Sequence, residues 1–158
     1  MAVAAMPAIL LALIEKAGDA TALSDRIIRL GGIGPTDDPG PHFLDIGRND
    51  PAVVDIFDPG QHQQTMATCG TPRTRDETGS INCVATSWNG DMDTEQAMSD
   101  AFDTLEAVAT ILRDDPSLGV TGYQYLVAEI GSVTPEFAPF DGGVDAAVVF
   151  TVNYTARI

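Results

Sequence analysis

The sequence predicts an α+β fold, a mainly antiparallel β-sheet with a long β-hairpin, packed on one face by two α-helices. Three observations lead there. Apolar residues recur at helical spacing in two segments, one near the start of the chain and one after residue 93. Apolar and polar residues alternate almost without interruption from Val144 to Ile158. Two strand-like runs in the middle of the chain flank a short charged stretch, which is the pattern of a hairpin.

The first helix is expected from about Met6 to Ala17. Pro7 suits a first helical turn, where its missing N–H costs nothing. Ile9, Leu10, Leu13 and Ile14 share one face, and Gly18 marks the stop. The run from Ala2 to Ile14 is also as long as the apolar region of a signal peptide, and Ala20-Thr21-Ala22 offers small residues for cleavage. No Lys or Arg precedes the run and Glu15-Lys16 follows it, so the amphipathic helix is the favoured reading.

Asp25 to Leu30 reads as a short strand ended by Gly31-Gly32. The Pro-, Gly- and Asp-rich stretch from Gly34 to Gly60 reads as turn-punctuated chain. Its apolar runs, His42–Gly47 and Val53–Phe57, supply one or two edge strands.

In the hairpin, Gln63 to Pro72 pairs with Ser80 to Trp88, and Arg73 to Gly79 forms the charged tip. Pairing symmetric about Asp76 sets Cys69 opposite Cys83 and Ala67 opposite Ala85. That register brings two small thiols side by side, within reach of a disulfide where geometry allows one. Reduced thiols are the default without a clear secretion signal, and neither cysteine belongs to a CxxC.

The second helix opens at Asp93, with Gln96 completing a capping-box pattern. Met98, Ala101, Phe102, Leu105, Val108, Ala109 and Leu112 give it an apolar face, and Asp115-Pro116 stops it. Tyr123 to Ile130 is the next strand. Gly131 to Gly143 reads as a loop carrying Phe137 and Phe140 between prolines, two aromatic anchors suited to an interface.

The chain is 158 residues long, one domain over residues 1-158. Eight basic residues face 23 acidic ones, for a net charge of −15, and Lys16 is the lone lysine. Such a surface repels phosphates and anionic lipid, which argues against tight DNA or membrane binding but suits a wall that DNA slides past. No GxSxG, phosphate-binding loop, HExxH or GxGxxG is present. Asn89-Gly90-Asp91-Met92-Asp93 lacks the spacing of a calcium loop, and Asp93 serves as a helix cap. No catalytic, cofactor-binding or metal-binding residues are assigned, and a non-enzymatic role is expected.

The order of elements resembles that of the tail terminator family of long-tailed (siphovirus-type) bacteriophages, over nearly the whole chain. Three stretches carry the likeness. The first is the short amphipathic helix near the N-terminus. The second is the hairpin from Cys69 to Val84, leading through Asn89-Gly90-Asp91 into the long helix that closes at Leu112–Gly119. The third is the strand from Gly143 to Ile158, with its Ala156-Arg157-Ile158 ending.

The resemblance implies a structural virion protein: a homo-oligomeric ring, a hexamer in the family, that caps the tail tube and stops its polymerisation. The ring joins the tail to the head connector or head-closure protein while DNA passes through. It implies assembly in the host cytoplasm and a place at the head-proximal end of the tail. Arg73, Arg75, Asp76 and Glu77 at the hairpin tip, with Phe137 and Phe140, are the candidate contacts to neighbouring subunits or the tube. Sequence leaves open another phage neck protein, or a small cytosolic α+β ligand-binding domain or enzyme.

Overall fold

The computed structural model describes residues 4–31, 42–47, 59–66, 75–89, 93–140 and 143–157. Its elements are, in order, α1 (Met6–Asp19), a single 3-10 turn (Thr21–Leu23), β1 (Ile27–Leu30), β2 (His42–Ile46), β3 (Gly60–Met66), β4 (Arg75–Asn89), α2 (Thr94–Asp114), β5 (Tyr125–Phe140) and β6 (Gly143–Arg157). The strands form one sheet in the order β1-β2-β4-β6-β5, and β3 pairs with the first half of β4. Only the β1–β2 pair is parallel among these pairings. The predicted class holds: a mostly antiparallel sheet under two helices.

Alternation along the two central strands places the core. Ile81, Cys83 and Ala85 of β4 and Val148, Phe150 and Val152 of β6 project to one side and are fully buried. Ile9 and Leu13 of α1, with Val108 and Leu112 of α2, close over them. Each such side chain contributes about 1.5–3 kcal/mol by leaving water. Asp93 caps α2 as expected, its carboxylate accepting the Gln96 N–H at 3.0 Å. The reciprocal half of the capping box is absent, because the Gln96 side chain bonds Asp100 one turn on.

Three expectations need correction. The hairpin register differs: Gln64 lies opposite Glu77 and Met66 opposite Arg75. Cys83 has Ile46 and Phe150 as its cross-strand neighbours, and Ala85 has Leu44 and Val148. Arg75, Asp76 and Glu77 are therefore strand residues and not a tip. The cause is that both acids have partners across the sheet, as described below. Ala67, Cys69 and Arg73 lie outside the described residues.

His42–Ile46 is not an edge strand. It sits between β1 and β4, because Leu44 and Ile46 are fully buried on the core face. The hand-over along β4 occurs at Asn82. Its N–H donates to the carbonyl of Pro59 at 3.1 Å, while its own carbonyl accepts the Gly47 N–H at 2.7 Å. Proline has no N–H to claim that carbonyl, so it is left to β2. The second apolar run, Val53–Phe57, lies outside the described residues.

The expected loop from Gly131 to Gly143 is mostly strand. β5 continues through Pro135 and Pro139 to Phe140 and makes β5–β6 the long hairpin. A bulge between Ile130 and Val133 explains how. Before it, the N–H groups of even-numbered residues point away from β6, as the Ala128 N–H does in donating to the Pro116 carbonyl at 2.8 Å. The extra residue shifts this alternation by one. Pro135 and Pro139 then fall where no donor to β6 is needed, as proline in an edge strand requires. Gly131 sits at the bulge because a Cβ there would lie 2.4 Å from the Thr151 hydroxyl. That hydroxyl accepts the Ser132 N–H at 3.0 Å.

Among the described residues, one buried side-chain polar atom has no partner, and it lies on the other face of the sheet. The Thr86 hydroxyl is buried between Phe43 and Ala147 in the register and makes no hydrogen bond. Thr86→Val keeps the shape and removes the unsatisfied group, so it should raise stability by about 1 kcal/mol. Urea unfolding checks this: a lower midpoint than wild type would refute it.

Candidate functional site

The densest polar constellation among the described residues surrounds Glu77. Position 77 lies on the core face of β4, in phase with Ile81 and Cys83, so its carboxylate points inward and is fully buried. Four donors converge on it. The backbone N–H groups of Ala5 and Met6 reach its two oxygens at 2.9 and 3.1 Å, the Gln64 amide at 2.8 Å and the Tyr154 hydroxyl at 2.7 Å. The arrangement is a helix cap delivered in trans: Ala5, at the N-cap of α1, offers no side-chain cap of its own.

Burial pushes the Glu77 carboxyl upward, but the hydrogen bonds from Gln64, Ala5, Tyr154 and Met6 together outweigh it, and the net displacement is downward. The Tyr154 phenol is driven up, by burial first and then by donating to Glu77. Tyr123 is raised by burial and by the Glu77 charge, and its hydroxyl donates to the Ala4 carbonyl at 3.4 Å. Gly79 keeps room for this cluster, since a Cβ there would lie 2.7 Å from the Tyr154 hydroxyl.

On the opposite face Asp76 accepts two hydrogen bonds from the Arg157 guanidinium, at 2.7 and 2.9 Å. Arg157 also stands over the Tyr125 ring, 5.4 Å from its centroid, so β4, β6 and β5 are laced together at this end. Hydrogen bonding from Arg157 holds the Asp76 carboxyl below its usual range. A second ion pair is buried: Arg29 of β1 donates to both oxygens of its cross-strand neighbour Asp45, at 2.6 and 2.9 Å. The Phe43 ring lies 4.1 Å from the Arg29 guanidinium carbon.

Of the residues expected to make outward contacts, Asp76 and Glu77 thus serve the fold from within a strand. Arg75 is exposed, its guanidinium 3.5 Å from the Gln64 side-chain oxygen. Phe137 and Phe140 lie on β5, opposite Ala146 and Gly143, and their side chains are outside the described residues. Sequence reading missed the Glu77 cluster and the Arg29–Asp45 pair. One signal existed: Ala4-Ala5 precedes α1 where Asp93 precedes α2, so the first helix had to find its cap elsewhere.

Among the described residues, the Ser87 hydroxyl and the Cys83 thiol are both enclosed. The His42 ring nitrogen Nδ1 is 3.0 Å from the hydroxyl of Ser87, which is fully buried. Burial pushes the Cys83 thiol far above its usual range. In a Cys69→Ser variant a thiol reagent should therefore find no reactive group until the protein unfolds, and fast labelling of native protein would contradict the placement. Among the described residues no cluster of three or more His, Cys, Asp or Glu side chains could hold a metal ion, and no helix is long and apolar enough to cross a membrane.

The sequence matches no protein-family model and no curated protein.

Proposed function

We propose that the chain is a structural virion subunit, a tail terminator of a long-tailed bacteriophage that assembles head to tail into a hexameric ring. In this reading the ring caps the tail tube, ends its polymerisation and presents a surface to the head-closure protein, with DNA passing through the centre. The observation that carries the reading is the order of elements. A short helix, a hairpin, a long helix and a long final strand follow one another across the chain, and that final strand lies between β4 and β5 in the sheet.

Two features support assembly into a closed ring. The edge strand β5 is a poor template for sheet extension: Ala128 has given its outward N–H to Pro116, and Pro135 and Pro139 have none to give. Copies meeting at β5 would therefore do so through side chains. Exposed apolar side chains stand at both edges of the sheet, Leu30 on β1 and Tyr125, Val127 and Val133 on β5. A head-to-tail ring requires two different patches of this kind on each subunit. The buried ions, Glu77 and the Arg29–Asp45 pair, are engaged in joining elements, which suits scaffolding. The net charge of −15 suits a passage that DNA traverses without sticking.

Negative-stain imaging of the purified protein tests the proposal. Rings with an open centre are expected, and Val127→Asp with Val133→Asp should disperse them. Compact single particles at every concentration would overturn it.

A further inference from the structure

We propose that Glu77 is a proton-operated clasp on the N-terminal segment: ionised, it holds the first turn of α1 closed, and protonated, it lets that turn open while the rest of the helix stays seated. Each carboxylate oxygen accepts two hydrogen bonds, Oε1 from Met6 and Tyr154 and Oε2 from Ala5 and Gln64. A proton taken up from solvent on either oxygen turns an acceptor into a donor among donors. It also removes the negative charge from the positive end of the helix. The first turn has no side-chain cap of its own to fall back on. Further along, Ile9, Leu10, Leu13 and Ala17 are buried, and their hydrophobic contacts are indifferent to the proton. Magnitudes set the extent of the opening: the cap is worth less than those apolar contacts together, so the turn frays and the helix remains.

Among the described residues, Glu77 is the acid that accepts the N–H groups of the first turn of α1. The first turn of α1 carries no acid. β3 presents Gln64, with His62 two residues away on the same face. β4 contributes Arg75, also two residues away on that face, β6 contributes Tyr154 and the chain leading into β5 contributes Tyr123. The Glu77 carboxyl is held below its ordinary value, so the clasp is closed at neutral pH and opens as pH falls through that lowered value.

Amide hydrogen exchange, followed residue by residue in the full chain as pH is lowered, tests this. In wild type, protection at Ala5 and Met6 should fall in a single-proton step while the amides of α2 and β6 stay protected. Glu77→Gln should leave Ala5 and Met6 at least about tenfold less protected at neutral pH, with no step. Tyr154→Phe keeps the carboxylate but removes one of its hydrogen bonds, so the step should move up by about one pH unit. Loss of protection at Ala5 and Met6 only together with the whole fold would overturn the proposal. A step retained in Glu77→Gln, or unmoved in Tyr154→Phe, would do the same.

Discussion

Glu77→Ala lowers the stability of the folded chain by about 3–5 kcal/mol, the loss expected when a buried, fully bonded charge is deleted and its partners are left behind. The Tyr154 hydroxyl, the Gln64 amide and two helix N–H groups lose the carboxylate on which they converge. Alanine also leaves a void against Tyr154. Urea unfolding at neutral pH measures the loss. The pH dependence separates it from a generic packing defect. Because the native Glu77 carboxyl lies below its unfolded value, its contribution is complete above the ordinary carboxylate range and disappears as pH falls through the native value. The gap between wild type and Glu77→Ala should therefore narrow in acid. A gap constant with pH would mean that volume, and not charge, accounts for the cost.

Asp45→Ala should be nearly as damaging, at about 3–5 kcal/mol, because it strands the Arg29 guanidinium inside the protein. Arg29 is 9% exposed and Asp45 wholly buried, so water cannot replace the lost carboxylate without opening the β1–β2 edge. The double variant Arg29→Met with Asp45→Leu restores an apolar match and should recover most of the loss, since the desolvation of both ions is removed with them. Unfolding midpoints for the two single variants and the double variant decide this. A double variant as unstable as the sum of the singles would show that the pair is not a self-contained unit.

How much of this was legible in the sequence depended on whether the deciding interaction was local. α2 was readable because its period, its Asp93 cap and its Asp115-Pro116 stop all lie within one segment. β6 was readable because one face of a strand buried on a core must alternate. The hairpin register was not. Arg73 to Gly79 looks like a solvated tip, yet Glu77 is claimed by a helix start 72 residues away and Asp76 by Arg157 at the far end of the chain. β5 was hidden for a different reason: its prolines signal a loop until a bulge moves them to outward positions, and the only local trace of that bulge is Gly131-Ser132. β2 was visible as an apolar run, but its place inside the sheet depends on pairing with β4, a relation no local pattern encodes.

The proposed ring requires a fold that closes on copies of itself. Native mass spectrometry of the purified chain at neutral pH tests it most directly. A single dominant species near six times the 16.6 kDa protomer, about 100 kDa, is expected. A species of one protomer's mass, unchanged on concentration, would contradict it.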